Sequence, residues 1–321
     1  MELARLLTPL HKLREDPVES GCGMWFKRDD LTGIELSGNK VRKLEYLVED
    51  ALNQNAGVLI TCGGAQSNHA RATALSAVRA GLQSHLILRG NPTNSAAGNL
   101  LLSRLAGATI TWVTPEEYKT RETVFRKLET SYKTSGITPY SIPEGGSNAL
   151  GVYGYLDCYR EIMDQCSSIG IKPEFVYVAI GSGGTFAGLQ AGWELGGRKG
   201  PKPVGIPVCD DGVFFTNKIN TILNDFSSLN PEFTFDKNAF EMCDGFVGDG
   251  YALSRPEELS TIVNFARREA LILDPVYTVK AYLGALAHRR QGDRRERPAI
   301  FVHTGGLFGL YGLCSDLQLD T

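Results

Sequence analysis

The feature that most constrains the fold is the alternation of short apolar runs with helical patterns along nearly the whole chain. The runs GVLITCGG (57–64), FVYVAIGSGG (175–184) and AIFVHTGG (299–306) each end in glycines. Continuous apolar strands joined by helical crossovers are typical of parallel sheets with both faces covered. The alternation therefore predicts an α/β protein built on open, twisted, mostly parallel sheets flanked by helices.

The length predicts two lobes. A chain of 321 residues can bury two separate cores. No low-complexity linker marks a boundary between them. We expect residues 52–152 to form a smaller α/β domain, and residues 1–51 and 153–321 to form a larger one.

Composition excludes several classes of function. A net charge of −3 gives no reason to expect a nucleic acid or an anionic membrane as partner. No apolar run is long enough to span a bilayer, and the N-terminus lacks the features of a signal peptide. The seven scattered cysteines lack a CxxC pair, which argues against a disulfide framework and a structural zinc site. We therefore expect a cytoplasmic protein without a metal.

The carboxyl ends of the strands are where an open parallel sheet binds its ligands. GSGGTFAG (181–188) follows a strand and opens a helix, so its N–H groups are suited to a phosphate. Phe186 stands where the dinucleotide fingerprint has its third glycine, which disfavours a nicotinamide cofactor. CGGAQSNHAR (62–71) gathers four polar side chains at a second helix start, where a substrate carboxylate could meet free N–H groups.

The helix start SGNKVRKLEYL (37–47) carries Lys40, Arg42 and Lys43 in its first turn. The positive end of the helix dipole disfavours cations there. Neighbouring cations and the dipole are both expected to lower the pKa of Lys40, and a lysine with a lowered pKa is a nucleophile for Schiff-base chemistry. Such a lysine together with a phosphate loop implies pyridoxal 5′-phosphate (PLP), which acts as an electron sink.

Five segments together resemble a known family. GNKVRKLEYL, CGGAQSNHAR, GSGGTFAG, DPVYTVKA and HTGG follow one another in family order across almost the whole chain. They resemble the PLP-dependent family of D-cysteine desulfhydrase and 1-aminocyclopropane-1-carboxylate (ACC) deaminase. The resemblance implies the tryptophan-synthase-β-like fold, PLP fold type II, with the cofactor between two α/β lobes. Enzymes of this fold are often homodimers, so we expect one here.

The resemblance also assigns residues. It implies that Lys40 forms the Schiff base with PLP and shuttles the substrate proton. Asn68 would lie beside the phenolic oxygen of the cofactor, and Ser67 near the substrate carboxylate and the reacting carbon. Tyr277 and Tyr251 match active-site tyrosines. The phosphate cup would consist of Gly181, Ser182, Gly183, Gly184 and Thr185.

Two threonines favour one branch of the family. Members resembling ACC deaminase carry an acid after the tyrosine, where this chain has Thr278, and a leucine in place of Thr304. A carboxylate would keep the ring nitrogen of PLP protonated and strengthen the electron sink for opening a cyclopropane. A hydroxyl leaves that nitrogen closer to neutral, which suffices when a thiolate leaves. We therefore expect conversion of D-cysteine into pyruvate, sulfide and ammonium.

Alternatives remain open within and beyond this family. The substrate could be ACC, L-cysteate or serine, since related members act on each of them. A non-catalytic protein that only binds PLP is disfavoured because every expected catalytic position is filled. A nucleotide-dependent oxidoreductase is disfavoured by Phe186.

Overall fold

The computed structural model describes residues 1–19, 21–93 and 96–312. Its strands are β1 (Leu10–Lys12), β2 (Met24–Lys27), β3 (Val58–Gly64), β4 (Gln83–Arg89), β5 (Thr109–Val113), β6 (Pro139–Ser141), β7 (Phe175–Ile180), β8 (Lys202–Pro207), β9 (Glu241–Met242) and β10 (Ala299–Val302). Its helices are α1 (Asn39–Asn53), α2 (Asn68–Arg79), α3 (Gly98–Leu105), α4 (Pro115–Lys119), α5 (Arg121–Thr134), α6 (Ala149–Ile169), α7 (Gly184–Leu195), α8 (Gly212–Leu229), α9 (Pro256–Glu269), α10 (Thr278–Arg289) and α11 (Leu307–Tyr311).

The strands form two sheets. One sheet has the order β1-β2-β10-β7-β8-β9, and its strands pair in parallel except for β1, which is antiparallel to β2. The other sheet has the order β5-β4-β3-β6 and is parallel throughout. Helices flank both sheets, so the predicted α/β architecture with mostly parallel sheets is confirmed.

Strand β7 shows why its sequence is a continuous apolar run. Val176, Val178 and Ile180 point into a core formed with α6 and α7. Tyr177 and Ala179 point the other way, into a core formed with α9 and α10. Because side chains alternate between the faces of a strand, burial on both faces requires apolar residues at every position.

Each of the two sheets falls within one of the two predicted domains. Strands β3 to β6 all lie within residues 52–152, and the strands of the larger sheet lie outside that range. Helix α1 comes before residue 52 for most of its length, yet Val41, Leu44 and Leu47 pack in the same core as Leu59 of β3. The division at 52 and 152 stays a prediction, and residues 313–321 of the predicted larger domain lie outside the described residues.

One predicted element is wrong. The sequence indicates a single long charged helix from Pro115, but the chain breaks it at Thr120 into α4 and α5. The Thr120 hydroxyl donates to the Glu117 carbonyl at 3.2 Å, which competes with the helical backbone. Tyr118 and Arg121, on either side of the break, both line the cavity described below.

A buried ion network anchors α1 to α6. Arg42 donates to both carboxylate oxygens of Asp29 at 2.8 and 2.9 Å, and to Glu161 at 2.9 Å. Lys27 also pairs with Glu161, and the Tyr155 hydroxyl donates to Asp29. Arg42 therefore occupies the first turn of α1 because it holds that helix in place, against the preference of the helix dipole. Across the described residues, no helix is both long and apolar enough to cross a membrane.

Candidate active site

A cavity of about 430 Å³ lies where the strand tips of the two sheets face each other. The three glycine-bearing tips predicted from the sequence meet there, together with the start of α1. All but two of the predicted site residues line it: Lys40, Ser67, Asn68, Gly181, Ser182, Gly183, Thr185, Tyr251, Tyr277 and Thr304.

The two exceptions are Thr278 and Gly184. The Thr278 hydroxyl donates to Asp274 Oδ1 at 2.7 Å and accepts the Asp274 N–H at 2.6 Å, and the residue is fully buried. Thr278 therefore stabilises the start of α10 and does not reach the cavity, whereas Thr304 does. Gly184 donates its N–H to Ser147 Oγ at 3.2 Å.

The start of α1 is held against the tip of β10. Gly38 has a φ of +95°, and a Cβ atom there would lie 2.8 Å from the Thr304 carbonyl oxygen. The Asn39 N–H donates to that same oxygen at 3.1 Å. Glycine at position 38 thus permits the close approach that brings Lys40 into the cavity. Lys40 Nζ lies 3.1 Å from Asn39 Oδ1 and 6.0 Å from the centre of the Tyr277 ring.

The environment of Lys40 favours its neutral amine. Burial is the main cause that lowers the pKa of Lys40, to about 8, and the guanidinium of Arg71 adds to the lowering. The carboxylates of Asp274 and Glu144 act in the opposite direction. The predicted direction is therefore found, but the predicted cause needs correction. Desolvation outweighs charge repulsion, and the contributing cation is Arg71 of α2, whereas the network of Asp29 and Glu161 engages Arg42.

The loop 181–185, called the phosphate cradle below, has a backbone shape that suits an anion. Gly183 has a φ of +89°, and a Cβ atom on Gly181 would lie 2.7 Å from the Tyr277 ring. The loop leads into α7, whose first N–H groups have no partner within the helix. The Thr185 hydroxyl accepts from Asn39 Nδ2 at 3.0 Å, which ties the cradle to the residue before Lys40.

A buried lysine behind this loop was not singled out as a site residue by the sequence reasoning. Lys43 is fully buried, and its pKa is well below the ordinary value because of burial and the charges of Lys40 and Lys218. Its Nζ lies 3.4 Å from Ser147 Oγ, which is 2.8 Å from Ser182 Oγ. No carboxylate of the described residues pairs with Lys43. A phosphate in the cradle would supply the missing counter-charge, so the residues fit PLP. The sequence feature that could have indicated Lys43 is its spacing, because it lies one helical turn after Lys40 and so on the same side of α1.

The two tyrosines lie together on the cavity wall. Tyr251 Oη and Tyr277 Oη are 2.9 Å apart. Burial raises the pKa of both phenols, that of Tyr277 well above its ordinary value. Both therefore keep a proton to donate. The guanidinium of Arg89 lies 5.4 Å from the Tyr251 ring and 5.3 Å from the Tyr118 ring, and stacking of this kind holds Tyr251 in place.

The start of α2 combines capping with a polar surface. Ser67 Oγ accepts the N–H of Ala70 at 3.1 Å, as an N-cap residue does. Asn68 Oδ1 accepts from Asn99 Nδ2 at 2.9 Å. His69 Nε2 lies 2.8 Å from Thr61 Oγ1, and burial holds the pKa of this imidazole well below its ordinary value. His69 also lines the cavity.

Comparisons with known proteins identify the family of the chain. Residues 1–305 match the family described as "Pyridoxal-phosphate dependent enzyme". The chain is 39% identical over 320 residues to the mitochondrial bifunctional D-cysteine desulfhydrase/1-aminocyclopropane-1-carboxylate deaminase of Arabidopsis thaliana, covering 96% of this chain and 78% of that one. It is 35% identical over 321 residues to the D-cysteine desulfhydrase of Serratia proteamaculans (strain 568), covering 97% and 94%. The crystal structure of an ACC deaminase homologue gives a TM-score of 0.90 at 35% identity, covering 98% and 94%.

The matched segment, residues 1–305, spans both sheets and the residues that line the cavity. The cavity offers what PLP requires: an amine that is partly unprotonated near neutral pH, a glycine-rich loop at a helix start with a buried lysine behind it, and phenol and amide donors on the cavity wall. The chain therefore belongs to the family of pyridoxal-phosphate dependent enzymes, in the group of D-cysteine desulfhydrases and ACC deaminases.

Proposed function

We propose that the protein converts D-cysteine and water into pyruvate, sulfide and ammonium. The observation that carries this proposal is the presence of Thr304 on the cavity wall, together with a threonine at position 278 that is engaged by Asp274. Neither position presents a carboxylate that would keep the cofactor's ring nitrogen protonated. Such a site suits a reaction whose leaving group departs readily.

Each residue of the cavity has a defined task in this proposal. Bound PLP supplies the electron sink that makes the α-carbon acidic. Lys40 Nζ would hold the cofactor covalently, and its free amine would accept the proton from the α-carbon of the substrate. Ser67 binds and orients the substrate beside the free N–H groups of α2, and Asn68 lies beside the phenolic oxygen of the cofactor. The Tyr277 and Tyr251 pair donates a proton to the departing sulfur.

The order of bond changes follows from these tasks. The bond between the α-carbon and its hydrogen breaks first, with the proton going to Lys40. The bond between the β-carbon and sulfur then breaks, and sulfur leaves with its electron pair. Water finally replaces the nitrogen of the released aminoacrylate, giving pyruvate and ammonium. No external oxidant or reductant is required.

The pKa of Lys40 predicts a pH dependence for cofactor capture. With a pKa of about 8, about one amine in ten is unprotonated at pH 7, against roughly one in three thousand at an ordinary lysine pKa. Because the neutral amine is the nucleophile, covalent capture of PLP by cofactor-free protein should accelerate as pH rises and level off above about 8. Trapping by chemical reduction after short incubations at each pH measures this. A rate that still climbs steeply above pH 9 would contradict the lowered pKa.

The proposed reaction is tested by product release from a panel of amino acids. Pyruvate and sulfide should form from D-cysteine, with slower or no pyruvate from L-cysteine, L-cysteate, D-serine and L-serine. 2-Oxobutyrate should not form from ACC. Rapid pyruvate release from L-cysteate or a serine, with D-cysteine inert, would replace the substrate and keep the cofactor chemistry.

ACC deamination is the second candidate. It is favoured by the bifunctional relative in Arabidopsis thaliana and by the similarity to the ACC deaminase homologue. Turnover of ACC at a rate comparable to that of D-cysteine would mean that Thr304 permits ring opening. The expected homodimer and cytoplasmic location also stay predictions, and the molar mass of the protein in solution tests the first.

A further inference from the structure

Two buried side chains, those of Arg71 and Asn99, form a hydrogen-bonded relay that ends in the cavity at the half-buried Asn68. Arg71 Nε donates to Asn99 Oδ1 at 3.0 Å. Asn99 Nδ2 in turn donates to Asn68 Oδ1 at 2.9 Å and to the Gln66 carbonyl oxygen at 3.0 Å. Arg71 and Asn99 are each 1% exposed. The relay therefore lies behind the cavity wall, with Asn68 as the member that lines the cavity.

Only one orientation of the Asn99 and Asn68 carboxamides satisfies all of these hydrogen bonds. A guanidinium only donates hydrogen bonds, so Arg71 requires the oxygen of the Asn99 carboxamide on its side. Both N–H groups of Asn99 must then point to Gln66 and Asn68. Asn68 consequently turns its own oxygen toward Asn99 and leaves its NH₂ group for the cavity. A reversed Asn99 would place donors against Arg71 and an oxygen against the Gln66 carbonyl.

Arg71 is itself held in place with no help from a carboxylate. Its terminal nitrogens donate to the backbone carbonyls of Glu35 and Ser37, the latter at 2.9 Å, and its guanidinium lies 5.2 Å from the Phe308 ring. No salt bridge of the described residues includes Arg71. Burial of an unpaired cation is unfavourable, so a purely structural position would be filled at lower cost by an apolar side chain. The segment bearing Glu35 and Ser37 also leads directly into Lys40.

The backbone is shaped for the relay. Gly98 has a φ of +54°, and a Cβ atom there would lie 2.6 Å from Gln66 Oε1. The Asn99 N–H donates to that oxygen at 2.9 Å. Glycine at position 98 thus lets the start of α3 approach the start of α2 closely enough for Asn99 to reach Asn68.

We propose that Arg71 and Asn99 are positioning residues that set the polarity of the Asn68 carboxamide, so that its N–H groups face the phenolic oxygen of the bound cofactor. This inference rests on the proposed function, in which Asn68 lies beside that oxygen. An N–H donor stabilises the ionised phenolic oxygen, whereas an amide oxygen in its place would repel it. The relay thus acts on the cofactor without touching it.

Asn99→Asp tests the proposal, because the carboxylate still accepts from Arg71 but offers Asn68 no donor. The Asn68 carboxamide should then rotate and present its oxygen to the cofactor. Losing a hydrogen bond to a charged oxygen should raise the midpoint of the pH-dependent change in visible absorption of the PLP-loaded protein by about 1 to 2 pH units. PLP affinity should fall about 10- to 100-fold.

Two further variants show whether a raised midpoint comes from the orientation of Asn68, from the added negative charge or from a general loss of stability. Asn99→Ser introduces no charge and should shift the midpoint in the same direction by a smaller amount. Ser103→Ala is the matched control, since Ser103 lies in the same helix, is 2% exposed and donates to the Asn99 carbonyl at 2.9 Å without contacting Asn68. Its midpoint should equal that of the unmodified protein. If Asn99→Asp does not fold, the Asn99→Ser midpoint decides.

Asn68→Ala separates failure of this inference from failure of the proposed function. A raised midpoint in Asn68→Ala with unchanged midpoints in both Asn99 variants would overturn the relay and leave the role of Asn68 intact. An unchanged midpoint in Asn68→Ala would overturn the placement of Asn68 beside the phenolic oxygen, and the relay with it. Raised midpoints in Asn68→Ala, Asn99→Asp and Asn99→Ser would support both.

Discussion

Replacing Lys40 with alanine is expected to lower turnover by about 10³-fold or more and to remove covalently held PLP. In the proposed reaction, the Lys40 amine both binds the cofactor and transfers the substrate proton. Proton transfer by a positioned base alone raises the reaction rate by about 10²- to 10⁴-fold. Lys43 is poorly placed to substitute, because it is fully buried behind the phosphate cradle. Lys119 and Lys218 also line the cavity, so peptide mapping must show that the label is on residue 40. Steady-state turnover and chemical reduction of the loaded protein followed by peptide mapping measure the two effects.

Lys127→Ala is the matched control for this experiment. Lys127 lies on the exposed face of α5, outside the residues that line the cavity. Its loss should leave turnover, colour and the labelled peptide unchanged. Retained turnover in Lys40→Ala, or a reduced label on a peptide without residue 40, would overturn the assignment of Lys40 and the scheme built on it.

Replacing Arg42 with methionine is expected to lower the free energy of unfolding by about 3–5 kcal/mol. This is the range for breaking a buried ion pair from one side, since the remaining charges lose their partner without regaining water. Arg42 is 1% exposed and is hydrogen-bonded to Asp29, Glu161 and the Thr8 hydroxyl. Because this network anchors the helix that carries Lys40, cofactor affinity should fall as well.

The effect of Arg42→Met should grow with pH. In the unmodified protein, Arg42 and Lys27 hold the pKa of Asp29 below its ordinary value in spite of burial, which by itself raises it. The ionised Asp29 therefore adds stability above the unfolded pKa of about 3.9, and this stability is lost as pH falls toward the folded pKa. Without Arg42, burial should dominate and raise the pKa of Asp29, so the variant should lose stability as pH rises.

Urea unfolding at several pH values measures this difference. Arg126→Met serves as the control, because Arg126 is exposed on α5 and its side chain donates hydrogen bonds to Glu122 and Thr123 of the same helix. Its free energy of unfolding should change by less than about 0.5 kcal/mol at every pH. An Arg42→Met variant that behaves like this control would mean that the network contributes little, as some buried ion networks do.

Most of the fold was predictable because its signals are local. The apolar run of β7 and the glycine loop after it specify a buried strand and a helix start within one short segment. The rule that ligands bind at the carboxyl ends of parallel strands then brings these tips together without any knowledge of packing. The break at Thr120 was missed because a single threonine in a helical pattern is usually tolerated, and here its hydroxyl favours a turn.

Local sequence signals and contacts formed on folding contribute different parts of the candidate site. The sequence by itself determined the alternation of strands and helices, and it predicted Lys40, the loop 181–185 and the polar start of α2 as site residues, because each depends on residue types at short spacing. Only the tertiary structure pairs Arg42 with Glu161, which is 119 positions away in the sequence. It also links Arg71 to Asn68 through Asn99, and it places Lys43 behind the phosphate cradle. Finally, it engages the Thr278 hydroxyl with Asp274, so that Thr278 does not line the cavity. These outcomes depend on burial and on the direction of hydrogen bonds, and both exist only once the chain has folded.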